Sequence, residues 1–293
     1  MSDHGVEAFR SLQARARAEH GGNTQPLLVV YAVESFLRRL AASNYAERMV
    51  LKGGMLMAAS GVRRMTQDAD LSTHGVTNDA ERVREIVAEI CSLVPEPDDG
   101  IVIDPATIRT EVMREGDEYQ GVRCKLVAGL GRARILFALD ISFGDPGTST
   151  TIELASVIDQ PDVLLRAYPL ALNLAEKIVT AMQRRETSTR DRDFADLWVC
   201  SRRFDFEATE LLGHIRDVAG HRHQTVMPLA EALANMPDRQ QPYSAMVRRM
   251  SYLAAPPERW TDLIADVIAF VDPLLYDEDG ALSRWSCDGA SWR

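Results

Sequence analysis

Leu51-Lys52-Gly53-Gly54-Met55-Leu56, followed after a polar break by Arg64-Met65-Thr66-Gln67-Asp68-Ala69-Asp70-Leu71, is the stretch whose reading decides the fold. An apolar run, Met49 to Leu51, enters a pair of glycines and leaves them through Met55 to Ala59, the pattern of strand, tight turn and helix start. Thr66 to Leu71 has the length of a strand and carries carboxylates at alternate positions. Residues two apart on a strand share a face, so Asp68 and Asp70 point the same way, about 6 to 7 Å apart along the chain. Like charges so placed repel unless a cation lies between them. An isolated Asp-x-Asp is more commonly a solvated strand face or turn, so the rest of the chain has to separate the two readings.

Upstream, Leu27, Leu28, Val30, Tyr31, Val33, Phe36, Leu37 and Leu40 recur at intervals of three and four, which predicts an amphipathic helix over Gln25 to Asn44. Downstream, Asn78-Asp79 caps a helix through Leu93. Strands are expected at Thr107 to Met113, Gly121 to Val127 and Ala133 to Phe143. The last is nearly continuous in apolar residues apart from Asp140, which predicts a strand buried on both faces. An ionised carboxylate there is costly without a partner. A metal ion would serve as that partner and would also satisfy Asp68 and Asp70.

From Leu170 onward the period is helical: Leu170 to Gln183, Asp191 to Arg203, Phe206 to Ala219, Thr225 to Asn235, Tyr243 to Leu253 and Trp260 to Leu274. With 293 residues the chain exceeds what one compact core usually holds. The expectation is an α+β protein, with a mixed-sheet lobe over residues 1–165 and an all-helical lobe over residues 166–293. The tail from Tyr276 to Arg293, polar and without periodicity, is expected to be loosely held.

Composition narrows the class. No apolar run approaches the length of a membrane span, and Met1 to Arg10 is too polar for a signal peptide, so a cytoplasmic protein with no membrane partner is expected. Cys91, Cys124, Cys200 and Cys287 are widely spaced, which argues for free thiols rather than a zinc site or a disulfide framework. A net charge of −10 disfavours a chain coated all over in nucleic acid. It leaves room for a local basic surface, and Arg184, Arg185, Arg190, Arg202 and Arg203 cluster past the middle of the chain, where the alternative is an ordinary solvated helix face. Lysine is confined to Lys52, Lys125 and Lys177 among 33 lysines and arginines. Lys52 and Lys177 fall in the motifs that matter, where a point-like ammonium suits a phosphate.

Asp68, Asp70 and Asp140, with a glycine turn upstream, are the parts needed to hold two Mg²⁺ ions for an in-line attack on a nucleoside triphosphate. Gly53 and Gly54 would let backbone N–H groups approach the phosphates, with a helix N-terminus behind them.

These residues resemble the first motif of the AbiEii and MenT-like nucleotidyltransferase toxins, and the helix Tyr31 to Leu40 is similar too. Leu174-Ala175-Glu176-Lys177-Ile178 resembles the family's lysine motif, and Arg190-Asp191-Arg192-Asp193-Phe194-Ala195-Asp196-Leu197 its Arg-x-Lys-Asp-x-x-Asp motif, with Arg192 where lysine is common and Ala69 where a larger apolar residue is common. The resemblance implies a nucleotidyltransferase fold with Asp140 as third carboxylate, Lys177 on the triphosphate, and Lys52, Gly53, Gly54 and Arg64 in nucleotide binding. Of the two carboxylates on the last motif, Asp193 is read as functional and Asp196 as its companion or an arginine partner. The resemblance also implies transfer of a nucleoside monophosphate, from CTP or another pyrimidine triphosphate, to the 3′ end of a tRNA, blocking translation. A cognate antitoxin would hold the enzyme in check, and in some relatives it modifies the residue matching Thr66. The competing readings are nucleotidylation of a protein or small-molecule hydroxyl, and an inactive nucleotide-binding module.

Overall fold

A computed structural model describes residues 3–19, 21–62, 68–115, 119–144, 148–249, 254–277 and 279–293. The chain divides into two compact units at Tyr168 and Pro169.

The first unit contains α1 (Asp3–Glu19), α2 (Gln25–Ala41), β1 (Met49–Lys52), α3 (Gly53–Ala59), β2 (Asp68–Thr73), α4 (Ala80–Cys91), β3 (Ile101–Ile103), β4 (Arg109–Glu115), β5 (Tyr119–Leu130), β6 (Ala133–Phe143), β7 (Thr150–Leu154) and β8 (Val163–Ala167). Their eight strands form one mixed sheet in the order β3-β5-β6-β2-β1-β8-β7, with β4 also paired to β5. The pairs β2–β6 and β1–β8 are parallel, and the others are antiparallel. Helix α4 begins as expected, with the Asp79 carboxylate accepting the Arg82 N–H at 2.7 Å.

Helix α2 departs from the amphipathic expectation, because every residue from Leu27 to Leu40 is buried. Its charged positions find partners inside the protein, although Arg38 Nε and Arg39 Nε are buried without a hydrogen bond. Glu34 accepts from Arg38 at 2.6 Å and from the Val157 N–H at 2.8 Å. Arg39 reaches Asp99 at 3.1 Å and the Ile101 carbonyl at 2.8 Å. A polar helix face need not meet water where partners from other segments meet it.

Strand β6 is corrected in the other direction. It is not buried on both faces: Ile135, Phe137, Leu139 and Ile141 are buried, whereas Leu136 is 62% exposed and Asp140 sits on the same open side. Apolar residues on both sides of a strand do not guarantee two covered faces. Here α1, α2 and α4 pack against the sheet strands β2, β4, β5, β6 and β8. Strands β3, β7 and β8 escape a reading of the sequence because they are short and lie between turn-rich stretches.

The second unit contains α5 (Leu170–Arg184), α6 (Asp191–Arg203), β9 (Phe206–Glu207), α7 (Ala208–His221), α8 (Leu229–Ala232), α9 (Gln240–Arg249), α10 (Trp260–Leu275), β10 (Arg284–Ser286) and β11 (Ser291–Trp292). The helix expected over Thr225 to Asn235 is a single turn, α8, starting after Pro228 with its Leu229 and Ala230 N–H groups held by Asp272. The unit adds a small antiparallel sheet, β11-β10-β9, to its helices. That sheet overturns the expectation of a loose tail. Trp285 is buried with its Nε1 on the Ser201 carbonyl at 2.6 Å, and Trp292 stacks on Phe270 with its Nε1 on the Phe270 carbonyl. Two tryptophans in eighteen residues are enough to fasten a segment that shows no period.

Candidate active site

In the first unit the strand register lines up a row of charged residues. Lys52 of β1 stands opposite Asp70 of β2, Asp70 opposite Asp140 of β6, Asp140 opposite Arg123 of β5, and Arg123 opposite Glu111 of β4. Directly opposed residues share a face. The next row along, Leu51, Leu71, Ile141 and Val122, is fully buried, so the charged row lies on the more open side. Asp68 lies two residues before Asp70 on the same strand, opposite Ala138. Three aspartates thus come together on adjacent strands, whose backbones are about 4.8 Å apart.

Each of the three is engaged by the protein. Asp70 Oδ2 accepts the Gly54 N–H at 3.1 Å. Gly53 has a φ of +61°, and a Cβ there would collide with the Asp70 carboxylate, so only glycine fits this turn. The N–H expected to meet a phosphate is therefore turned to Asp70 in this structure, and α3, with seven residues, adds only a short dipole. Arg123 Nε lies 3.0 Å from Asp140 Oδ1 and its Nη2 lies 3.7 Å from Asp68 Oδ2. Lys52 Nζ sits 5.6 Å from the Tyr168 ring centroid, a cation–π contact.

Sequence reasoning misses Arg123. The alternation Val122, Arg123, Cys124, Lys125, Leu126 is visible and assigns Arg123 to a polar face. Which strand lies beside that face depends on pairing between distant segments, and no local signal encodes it.

The donor set suits a hard divalent cation, which takes oxygen ligands. A guanidinium already spans two of the three carboxylates, so the cluster draws positive charge to itself. Among the described residues, no three metal-ligating side chains are gathered in a ready-made cage. The residues fit such an ion in chemistry and register, in an arrangement now satisfied by Arg123 and the Gly54 N–H. Arg64 and Thr66 lie outside the described residues.

The second unit holds another cluster. Lys177 of α5 lies between two carboxylates of α6, with Nζ 2.5 Å from Asp193 Oδ1 and 3.0 Å from Asp196 Oδ2. The spacing Asp193 to Asp196 turns both toward the same neighbouring helix. Asp196 is fully buried, and Lys177 and Asp193 are nearly so. Asp193 and Asp196 thus share Lys177 as a partner. Arg190 Nη1 lies 3.6 Å from Asp193, and Lys177, Arg190 and Asp193 border a shallow surface dip together with Thr180 and Ser188. Two neighbours that sequence reasoning also misses are bolts: Asp191 takes Arg239 through two bonds of 2.6 and 2.8 Å, and Arg222 bridges Thr180 and Glu176.

Of the arginines expected to meet RNA, Arg202 bonds Asp266 at 2.8 Å and lies over the Trp198 ring, whereas Arg185 and Arg203 are exposed. Among the described residues no disulfide joins the cysteines; burial pushes the Cys91 and Cys124 thiols up to about 12. Among the described residues no helix is long and apolar enough to cross a membrane.

Comparison with known proteins bears on the family and the fold. The family model described as "Nucleotidyl transferase AbiEii toxin, Type IV TA system" matches residues 35–277. Among solved structures the chain is similar to MenT4, a nucleotidyltransferase toxin from Mycobacterium tuberculosis H37Rv, with 18% identity and a TM-score of 0.55 over 94% of this chain and 91% of that one. It is also similar to JHP933 from Helicobacter pylori, with 17% identity and a TM-score of 0.42 over 71% of this chain and 78% of that one. A comparison with curated proteins returned no match. The fold is that of the nucleotidyltransferase toxins, and the chain belongs to the AbiEii family of nucleotidyl transferase toxins of type IV toxin–antitoxin systems.

Proposed function

We propose that this AbiEii-family chain transfers a nucleoside monophosphate from a pyrimidine nucleoside triphosphate, CTP foremost, to the 3′ end of a tRNA, with release of pyrophosphate. The observation that carries the nucleotide half of this reading is the register of Asp70 opposite Asp140, with Asp68 on the same face. Asp68, Asp70 and Asp140 would hold Mg²⁺, in two ions, which lowers the pKa of an attacking hydroxyl and neutralises the departing pyrophosphate.

The chain's own groups supply the remaining requirements. Lys52, on the charged row, offers an ammonium to the nucleotide phosphates, and the turn at Gly53 sets the Gly54 N–H against Asp70. Lys177 is assigned to the triphosphate, with Asp193 and Asp196 fixing its ammonium in position. Exposed Arg185 and Arg203, with Arg184 and Arg190, would meet the phosphate backbone of RNA, contacts that position without reading bases. Blocking the acceptor end of a tRNA would stop translation, and a cognate antitoxin would restrain that toxicity. Thr66, two residues before Asp68, is the position where a phosphate would set about −1.5 to −2 charges beside the carboxylates and repel the triphosphate.

The test is incubation of the purified protein with each labelled nucleoside triphosphate in turn, Mg²⁺ and total RNA. Label from CTP in a tRNA-sized band, removable by 3′ exonuclease, is the expected result. Label in protein or in small molecules would replace the tRNA acceptor with nucleotidylation of those hydroxyls. No incorporation from any triphosphate would leave an inactive nucleotide-binding module.

A further inference from the structure

We infer that Arg123 is a built-in counter-ion of the acidic row, competing with divalent cations for Asp68 and Asp140 and so setting the concentration at which the site loads. The inference rests on the reading of those aspartates as metal ligands and adds a residue that the motifs do not contain.

Asp68, Asp70 and Asp140 share one face of three neighbouring β-strand positions, and three carboxylates this close destabilise the sheet unless positive charge or N–H donors meet them. Asp70 is met by the Gly54 N–H, a backbone donor held in place by the turn at Gly53. Asp68 and Asp140 are met by the Arg123 guanidinium, at 3.7 and 3.0 Å. A planar guanidinium can contact two carboxylates at once.

Arg123 is 36% exposed, Asp68 39% and Asp140 20%, so the arginine and its contact with Asp68 are open to solvent and the contact with Asp140 is part-buried. Solvent-exposed ion pairs contribute little net stability. A divalent ion bringing twice the charge can displace such a partner, provided the arginine withdraws. Loading is then an exchange of one cation for another, and the free energy of the arginine contact is subtracted from that of metal binding.

Lys125 supplies the control. It stands two residues along β5 from Arg123, but its Nζ is held by Glu111 at 2.7 and 2.8 Å. Removing either residue changes net charge by one; only Arg123 touches the aspartates among these two.

The experiment measures Mn²⁺ binding by calorimetry and by the paramagnetic signal of free Mn²⁺, on the full chain without nucleotide. Arg123→Met and Arg123→Gln should bind Mn²⁺ about fivefold more tightly than the wild type, the factor set by the upper end of the range for an exposed ion pair. Lys125→Met should stay within about twofold of the wild type, the lower end of that range. Without metal, the melting temperature of both Arg123 variants should fall below the wild type, and saturating Mn²⁺ should close the gap. Unchanged or weaker Mn²⁺ binding in folded Arg123→Met and Arg123→Gln overturns the competition while leaving the metal site standing. An equal gain in Lys125→Met also overturns it, by showing a diffuse charge effect. No Mn²⁺ uptake by the wild type or any variant overturns the metal reading itself, and this inference with it.

Discussion

Both units of the chain place a cation between two aspartates, and they differ in how far that arrangement lies from water. In the first unit Arg123 spans Asp68 and Asp140, with the arginine 36%, Asp68 39% and Asp140 20% exposed. In the second, Lys177 spans Asp193 and Asp196, where Asp196 has no exposure and Lys177 has 11%. Water decides what each can do. An exposed pair gains little and can be exchanged for another cation. A buried pair is held together because separating it strands a charge in a medium that solvates it poorly. The first arrangement suits a site that loads and unloads, and the second suits a group that must arrive already positioned.

The sharpest way to challenge this contrast is to remove the carboxylates of the open cluster. Asp68→Ala, Asp70→Ala and Asp140→Ala should each lower nucleotidyl transfer by at least about a hundredfold, the scale for losing one group that stabilises transition-state charge. Their melting temperatures should move little. Turnover near the wild type in any of them would remove that residue from the catalytic set. For Asp140→Asn, a fully buried carboxylate would predict stabilisation of the metal-free protein. Because Arg123 already meets Asp140, the expected change is instead a loss below about 1 kcal/mol, read from denaturant midpoints.

The buried cluster should respond in the opposite sense. Lys177→Met leaves Asp196 buried beside a second carboxylate and should cost about 3 to 5 kcal/mol of unfolding free energy, with transfer lost as well. Lys177→Arg should recover stability more than activity. An unfolding midpoint unchanged by Lys177→Met would show the cluster to be as exchangeable as the open one.

A smaller effect is expected on the basic surface. Replacing Arg185 and Arg203 together should reduce the salt dependence of RNA binding by about two units of slope, one for each phosphate contact. Arg202→Ala should chiefly lower stability through Asp266 and Trp198. A larger loss of RNA affinity from Arg202 than from the exposed pair would reverse that ranking.

The smallest effect concerns the thiols of the first unit's core. Burial raises Cys91 and Cys124 from 9.0 to about 12, so the folded state favours the neutral thiols. The stability they contribute is intact below pH 9 and declines as pH rises toward about 12, because the unfolded chain ionises first. Native protein at pH 8 should label first at Cys287, which is not buried, with Cys91, Cys124 and Cys200 reacting only after unfolding. Rapid labelling of Cys124 in the native state would show that β5 opens locally.

Much of this protein is legible in the order of its residues. The strand at Met49, the glycine turn, the capped helix at Asp79, the long strand ending at Phe143 and the helices from Leu170, Asp191 and Trp260 all stand close to where periodicity and capping residues set them. Each is a local pattern, encoded by residues that lie near one another in the chain. The departures have a common origin. Helix α2 has a polar face that is buried, β6 has an apolar face that is open, and the tail is fastened by Trp285 and Trp292, all through contacts with segments far away in the chain.

The sequence alone determined the chemistry on offer: which carboxylates alternate on a strand, which glycine must turn the chain, and which lysine sits on a helix whose successor carries two aspartates. Tertiary structure decided which of these groups meet. Asp70 stands opposite Asp140, and Arg123 stands beside both Asp140 and Asp68, only because β2, β5 and β6 pair in one register. Charges interact according to their separation in space and their access to water, and neither quantity is written in the spacing of residues along a chain.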